Sequence, residues 1–353
     1  MLQLDAYKEE LKEFVRLEKD LFEGYRGKAV LISGAAGLIG SYIVDLFCIA
    51  NQMLDLQVVV YAVDKNRELL DERFSAIVDN GINIICADVN EQMINAEVID
   101  YVIHAASNTS PVDYATKPID TICTNVMGTN NMLKLCINNN VKRFMFCSSV
   151  EAYGQNNGDV DEFNEDYSGY VNCNTLRAGY PSAKRAAEAL CNAYAGEYPD
   201  FEFVVARIGR IYGPTIIEND SKAPSQFINN AVLGEDIVMK SDGMQEFSYA
   251  YVGDCAVAML YILLNGNAGE AYNIADPKSN VRLRDFAESA ALAGGTRVVF
   301  RQPSLTEKQG YSKITKATMD TTKLQKLGWS AKYQIKDGVK RTVDFLKQMK
   351  GIL

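Results

Sequence analysis

The chain has 353 residues, with 36 Lys and Arg against 45 Asp and Glu, and a net charge of −9. That length and a hydrophobic share of 48% suit one large core, or a nucleotide-sized domain with a smaller partner, and exclude a disordered chain. An acidic balance without a basic stripe excludes a nucleic-acid partner.

His104 is the only histidine, which argues against a histidine-built metal site and against a Ser-His-Asp triad, so no metal is expected. Eight cysteines are scattered without a Cys-x-x-Cys pair, mostly in apolar runs. That usage fits buried free thiols in a reducing compartment, and the expected location is cytoplasmic. Neither a signal peptide nor a membrane span is expected, since charges crowd the first residues.

In chain order, residues 4–25 carry Leu4, Leu11, Phe14, Leu17 (or Val15) and Phe22 at helical spacing. They predict one amphipathic helix, closed by Gly24 and Gly27, that packs on the domain or on a second subunit. From residue 28 the pattern alternates. Lys28–Ser33 is a strand, followed by a glycine turn and a helix to about Ala50. Strands are predicted at Gln57–Asp64, Ile82–Ala87 and Ile99–Ala105, then a long helix around Thr121–Asn138. A strand at Arg143–Ser148, a helix at Tyr180–Tyr198 and a strand at Phe201–Ile208 complete the series. Continuous apolar strands separated by helices predict an α/β fold, a doubly wound parallel sheet of the Rossmann type. After Tyr212-Gly213-Pro214 the elements shorten. The expected division is an N-terminal helical extension (1–26), a nucleotide-binding domain (27–213) and a smaller α+β substrate-binding portion (214–353). The two larger parts are expected to exchange chain and to enclose a cleft.

The first strand runs into Gly34-Ala35-Ala36-Gly37-Leu38-Ile39-Gly40, which opens a helix. Glycines there let backbone approach a pyrophosphate, and the helix N-terminus offers N–H groups to it. Asp64 ends the second strand, where a carboxylate accepts both ribose hydroxyls of NAD and repels the 2′-phosphate of NADP. Lys65 and Arg67 follow it, and the plain alternative for Asp64 is a helix N-cap. Asp88-Val89, after the third strand, is placed to contact adenine or to form an ordinary turn.

Two short segments carry the chemistry. Ser148-Ser149-Val150-Glu151 lies at the C-terminal end of the fifth strand, the edge at which such sheets bind ligands. Tyr180-Pro181-Ser182-Ala183-Lys184 opens a helix, and residues i and i+4 share a helix face. An ammonium beside a phenol favours the phenolate, which would prepare Tyr180 as a general base for a hydroxyl oriented by Ser149. The plain alternative is an exposed helix pair. Tyr61 and Lys65 have the same spacing on a strand, where they stand far apart.

Gly34–Gly40, His104-Ala105-Ala106, Asn125, Ser149 and Tyr180/Lys184 occur in the order found in the extended short-chain dehydrogenases/reductases. The resemblance runs from about Gly27 to about Leu346 and includes Arg207–Pro214, Tyr251–Asp254 and Leu327–Trp329. It implies an NAD-dependent nucleotide-sugar epimerase or dehydratase that oxidises the sugar at C4 and later returns the hydride. It also implies that Leu38, Ile39, Asp64, Asp88, Val89, Ala105, Ala106, Ser107, Asn125, Tyr180 and Lys184 join Gly34, Gly37 and Gly40 in holding NAD. Ser110, Ser149, Arg210 and Arg301 are implied to face the substrate, and Ser149, Glu151, Tyr180 and Lys184 to be catalytic.

Three segments look most like the UDP-glucuronate decarboxylases: Ser107–Pro111, Lys117–Thr121 with Thr124–Thr129, and Arg177–Tyr180. Glu151 stands where the decarboxylases and 4,6-dehydratases carry a glutamate, and its plain alternative is a strand-end surface charge. The chain departs from the family at Arg210, normally asparagine, at Phe247, normally the later diphosphate arginine, and at Val150, where dehydratases place an acid. Arg210 is expected to replace the charge lost at Phe247. The expected reaction is oxidation at C4 followed by elimination of carbon dioxide or water, and the competing readings are a 4-epimerase and an NAD-binding module without chemistry. The resemblance implies a homodimer packed through helices such as Thr121–Asn138 and Tyr180–Tyr198. For the nucleobase, Arg301, Lys308 and Lys313 offer cations without a readable code.

Overall fold

The computed structural model describes residues 1–75, 77, 81–91, 94, 96–109, 111–217, 220–302 and 315–353. Seven strands form one sheet: β1 (Ala29–Ser33), β2 (Val59–Asp64), β3 (Ile82–Cys86), β4 (Tyr101–His104), β5 (Arg143–Ser149), β6 (Phe203–Ile208) and β10 (Ala271–Ile274). Their order is β10-β6-β5-β4-β1-β2-β3, and every pairing is parallel. Every residue of β1 is buried, as required of a central strand covered on both faces. The chain reverses its direction of travel between β1 and β4, and the crevice at that switch point is where doubly wound sheets hold ligands.

Up to residue 294 the α-helices, in chain order, are α1 (Asp5–Leu17), α2 (Lys19–Glu23), α3 (Leu38–Leu54), α4 (Arg67–Phe74), α5 (Pro111–Thr116), α6 (Pro118–Cys123), α7 (Thr129–Asn138), α8 (Gly179–Glu197), α9 (Ala223–Leu233), α10 (Val252–Asn265) and α11 (Leu283–Gly294). One face of the sheet is covered by α3 and α10, with Ile43, Phe47, Cys255 and Met259 in the core. The other is covered by α7 and α8 through Met132, Leu133, Ala187 and Cys191. The predicted long helix over Thr121–Asn138 is a continuous helical run, α6 and α7 joined by a wider π turn at Thr124–Gly128.

The single helix expected over residues 4–25 is two helices, broken at Glu18 (φ −109°, ψ 31°). The break lets Phe14 and Phe22 bury in different places, against Tyr42 and Tyr333 and against Phe47 respectively. Helix α1 lies on α3, and its inward face carries buried polar contacts. Tyr7 donates to the Asp45 carboxylate at 2.8 Å, while Glu10 accepts from Tyr42 (2.8 Å) and Tyr251 (2.6 Å) and pairs with Arg341 at 3.2 Å.

The remainder is built from α9, α11 and the C-terminal helix Ile335–Met349, packed on one another. Two small sheets accompany them. One joins β7 (Arg210–Tyr212), β9 (Glu246–Tyr251), β11 (Asn280–Arg282) and β13 (Lys316–Ala317); the other joins β8 (Ile237–Met239) and β12 (Val298–Phe300). The chain leaves the large sheet after β6, builds α9, β8 and β9, and returns through α10 to add β10 to the sheet's edge.

Candidate active site

The glycine turn between β1 and α3 is built by crowding. Gly34 has φ +73°, and a Cβ there would stand 2.7 Å from the Ala106 nitrogen. A Cβ on Gly40 would stand 2.4 Å from the Gly34 carbonyl oxygen. Helix α3 starts at Leu38 and Ile39 with no side-chain cap and no acidic residue in its first turn, so its leading N–H groups are left for an anion. Asp64, at the end of β2, reaches across this turn: its carboxylate accepts from Ala36 N–H at 3.2 Å and from Asn66 N–H at 3.1 Å. The N-cap of α4 is Asn66, which accepts from Leu69 N–H at 3.0 Å, and not Asp64. The cradle and the strand-end carboxylate suit the pyrophosphate and adenosine ribose of NAD.

Beyond β4, Ala105 N–H donates to the Ser33 carbonyl at 3.0 Å, which brings Ala105 and Ala106 against Gly34. Ser107 donates to Asn125 Oδ1 at 2.9 Å, and Asn125, fully buried in the π turn, donates to the Thr121 carbonyl at 2.7 Å. His104 lies between Ser33 (2.6 Å) and Thr129 (3.1 Å), and burial drops its pKa to about 3, so it is a neutral tie between strand and helix. After β3, Val89 is buried in the core against α7, and Asp88 accepts from Asn90 N–H at 2.9 Å in a local turn.

Tyr180 and Lys184 share the first turns of α8, both buried. Lys184 donates to the Cys147 carbonyl at 2.7 Å, with its nitrogen 4.8 Å from the Phe146 ring centroid and 5.7 Å from that of Tyr180. Burial lowers the lysine pKa to about 8. The phenol is not depressed, contrary to the expectation from spacing. Burial and the Glu151 charge push it up, and the Ser149 and Tyr114 hydroxyls only partly offset them. Burial of the phenol is the main cause, and Lys184 donates to the Cys147 carbonyl and not to the phenol oxygen. Ser149 also accepts from Glu151 N–H at 3.3 Å, which starts the short helical turn Val150–Tyr153 and aims Glu151 back toward Tyr180.

Two residues that sequence reasoning did not single out complete this cluster. Tyr114 lies flat on Tyr180, with ring centroids 4.6 Å apart and 21° between planes. Arg177 pairs with Glu151 at 2.8 Å and stands 5.9 Å from the Tyr114 centroid. Arg177 was legible only as part of the segment leading to Tyr180, and Tyr114 only as an aromatic within a run flanked by Pro111 and Pro118.

On the substrate side, β7 pairs with β9 so that Arg210 is opposite Tyr249, and its guanidinium stacks 3.5 Å from the centroid of Phe247. Among the described residues no carboxylate pairs with Arg210. Arg301 is exposed at the rim of an open cavity of about 500 Å³ between α9 and β8, lined by Asp220, Phe227, Asn230, Val238 and Lys240. Lys222, beyond the cavity lip, donates to Thr109 at 3.1 Å and so bridges the smaller part to the loop after β4. Ser110, Lys308 and Lys313 lie outside the described residues. Among the described residues no group of three His, Cys, Asp or Glu side chains is placed to hold a metal, and no helix is long and apolar enough to cross a membrane.

A doubly wound sheet whose glycine cradle and Tyr/Lys pair open on one crevice defines an NAD-dependent enzyme. The chain belongs to the NAD dependent epimerase/dehydratase family, whose model matches residues 30–275. It is 31% identical over 330 residues to UDP-glucuronic acid decarboxylase 1 of Danio rerio, covering 91% of this chain and 73% of the relative. Among solved structures it resembles the dTDP-glucose 4,6-dehydratase of Bacillus anthracis in complex with NAD (TM-score 0.75, 20% identity, 92% of this chain and 98% of the other). It also resembles the UDP-glucuronic acid 4-epimerase of Bacillus cereus in complex with UDP-glucuronic acid and NAD (TM-score 0.75, 20% identity, 91% and 99%). At such identities these two likenesses concern the fold.

Proposed function

We propose that the protein binds a nucleotide-linked uronate, oxidises it at C4 and releases its carboxylate as carbon dioxide. The observation that carries this reading is the Glu151 carboxylate, held by Arg177 and close enough to Tyr180 to act on its ionisation. A simple C4 epimerisation has no use for a carboxylate there. UDP-glucuronic acid decarboxylases at about 30% identity are among the chain's relatives in sequence, which supports this reading. Val150 also favours carbon dioxide over water as the leaving group, because losing a hydroxyl requires an acid to protonate it and valine has no proton to give.

The residues divide the work as follows. Tyr180 takes the C4 hydroxyl proton, and Ser149 orients that hydroxyl. Lys184 fixes the floor beneath the phenol through the Cys147 carbonyl and would hold the nicotinamide ribose. What NAD supplies when bound is reversible acceptance of the C4 hydride. With C4 a ketone, the C5–C6 bond breaks, its electron pair passes into the C4 oxygen as an enolate, and Tyr180 with Ser149 stabilises that charge. Glu151 then governs proton delivery to C5. Arg210, stacked on Phe247 and unpaired with any carboxylate among the described residues, grips the diphosphate, since a guanidinium binds phosphate oxygens bidentately. The cavity beside Arg301 takes the nucleoside.

In this reading residues 27–213 with β10 carry the cofactor and the rest carries the substrate. The outer face of α6 and the turn after it exposes Ile119, Ile122 and Met127, which supports a homodimer packed through these helices and α8. Eight free cysteines support a cytoplasmic location.

The test is to incubate the protein, with and without added NAD, with UDP-, dTDP-, GDP- and CDP-linked sugars and uronates, and to weigh the products. Loss of carbon dioxide from a uronate is expected, and Glu151→Gln should slow formation of the C5-protonated product that follows it. Loss of water, or an epimer of unchanged mass, would replace this reading with dehydration or epimerisation.

A further inference from the structure

We infer that Arg177 is the residue that reads the sugar carboxylate, and that Glu151 occupies it until a uronate takes its place. The inference rests on the uronate reading above and adds a specificity determinant to it.

Four cations belong to the elements around Tyr180, and three are committed. Lys184 is bound to the Cys147 carbonyl. Arg185 donates to the carbonyls of Ala152 (2.6 Å), Tyr153 (3.0 Å) and Gly169 (2.7 Å). Arg207 is paired with Glu188 at 2.7 Å and donates to the Glu165 carbonyl at 2.6 Å. Arg177 differs. Among the described residues its only hydrogen bond is one Nη2 contact to one oxygen of Glu151, so most of its five N–H donors remain for a second acceptor. Its side chain is 33% exposed and that of Glu151 22%, so the pair stands at the open side of the site, not in the core.

The position of the pair gives the exchange its purpose. Arg177 sits in the short turn Leu176–Ala178, directly before α8, beside the Tyr114 ring that covers Tyr180. The Glu151 charge already opposes ionisation of Tyr180. A uronate adds a second carboxylate to the same corner, and two unpaired carboxylates there would repel. A guanidinium that accepts the incoming carboxylate on its free edge removes that repulsion. It also loosens its single bond to Glu151, releasing that side chain for C5 at the moment the substrate is seated. A neutral hexose offers nothing to Arg177 and leaves Glu151 tied.

The test measures affinities of NAD-loaded protein for UDP-glucuronate and UDP-glucose by calorimetry, all in a Tyr180→Phe background that stops turnover. Arg177→Gln should weaken UDP-glucuronate by about 10-fold or more, the worth of a charge-assisted hydrogen bond, and change UDP-glucose by less than about 2-fold. Arg177→Lys, which keeps the charge, should recover most of the loss and shows that the site still folds. Glu151→Gln should tighten UDP-glucuronate several-fold, because Arg177 is then unoccupied, and the Arg177→Gln/Glu151→Gln double variant should lose that gain. Equal weakening of both sugars by Arg177→Gln, or a gain that survives in the double variant, would overturn the inference while leaving the uronate reading intact. A protein that binds UDP-glucose but not UDP-glucuronate before either change would overturn both.

Discussion

Lys184 should cost the fold stability, and replacing it should make the protein more stable while destroying its activity. The side chain is 3% exposed, and burial lowers its pKa from the ordinary 10.5 to about 8. At pH 7 lysine is charged in both folded and unfolded chains, so the folded state carries the whole burden of that burial. A shift of this size corresponds to roughly 3 kcal/mol. Lys184→Met removes the charge at similar volume but gives up the bond to the Cys147 carbonyl, worth about 1 kcal/mol. The net gain is about 2 kcal/mol, or about 3 °C in melting temperature for a chain of this length. The sign with pH follows from the unfolded chain binding more protons than the folded one between pH 8 and 10.5. Wild-type stability from this group therefore rises across that window, and the advantage of the Met variant shrinks and is gone above it. Thermal unfolding of both proteins from pH 6.5 to 10.5, at matched NAD occupancy, reads this directly. A Met variant that is less stable at pH 7, or a gap that does not narrow with rising pH, would refute the reasoning.

Tyr180→Phe should reduce turnover by about 10²–10⁴-fold, the usual worth of a general acid–base group, while fluorescence titration shows NAD still bound. Asp64→Asn keeps an acceptor for Ala36 N–H but loses the charge; NAD affinity should fall about 10-fold and NADP should bind comparably, measured by the same titration. Arg210→Ala should raise KM for the nucleotide sugar by about 10–100-fold with little change in kcat, and an unchanged KM in steady-state assays would remove Arg210 from the diphosphate site.

The large sheet was legible because its central strands are apolar on both faces and separated by helices of clear period. Six of its seven strands follow from that pattern, with ends shifted by one or two residues. The seventh, β10, is four residues long and joins β6 only after the chain has built α9, β8, β9 and α10, so no local signal announces it. The glycine cradle was legible because Gly34 and Gly40 meet a steric demand that other residues fail. Helical spacing correctly put Tyr180 and Lys184 on one face, but spacing carries no information about a third partner. The Cys147 carbonyl, 37 residues away in sequence, takes the ammonium. Neither Tyr114 nor Arg177 carries a local signal of its place in the cluster, for the same reason: each matters through contacts with residues from other segments. The break at Glu18 lies within an unbroken helical pattern and is set by where Phe14 and Phe22 must be buried.

Glu10 makes the choice of where to cut this chain consequential. Family similarity covers residues 30–275 and suggests a fragment starting near β1. Such a fragment would strip the carboxylate from the buried hydroxyls of Tyr42 and Tyr251, and would uncover the rings of Tyr42 and Phe47 that α1 and α2 now shield. It would also lack Arg341, the third ligand of the same carboxylate, on a helix 331 residues further along the chain. A clone trimmed to the similarity boundaries should therefore yield sticky, poorly soluble material, and expression work is better served by keeping both ends.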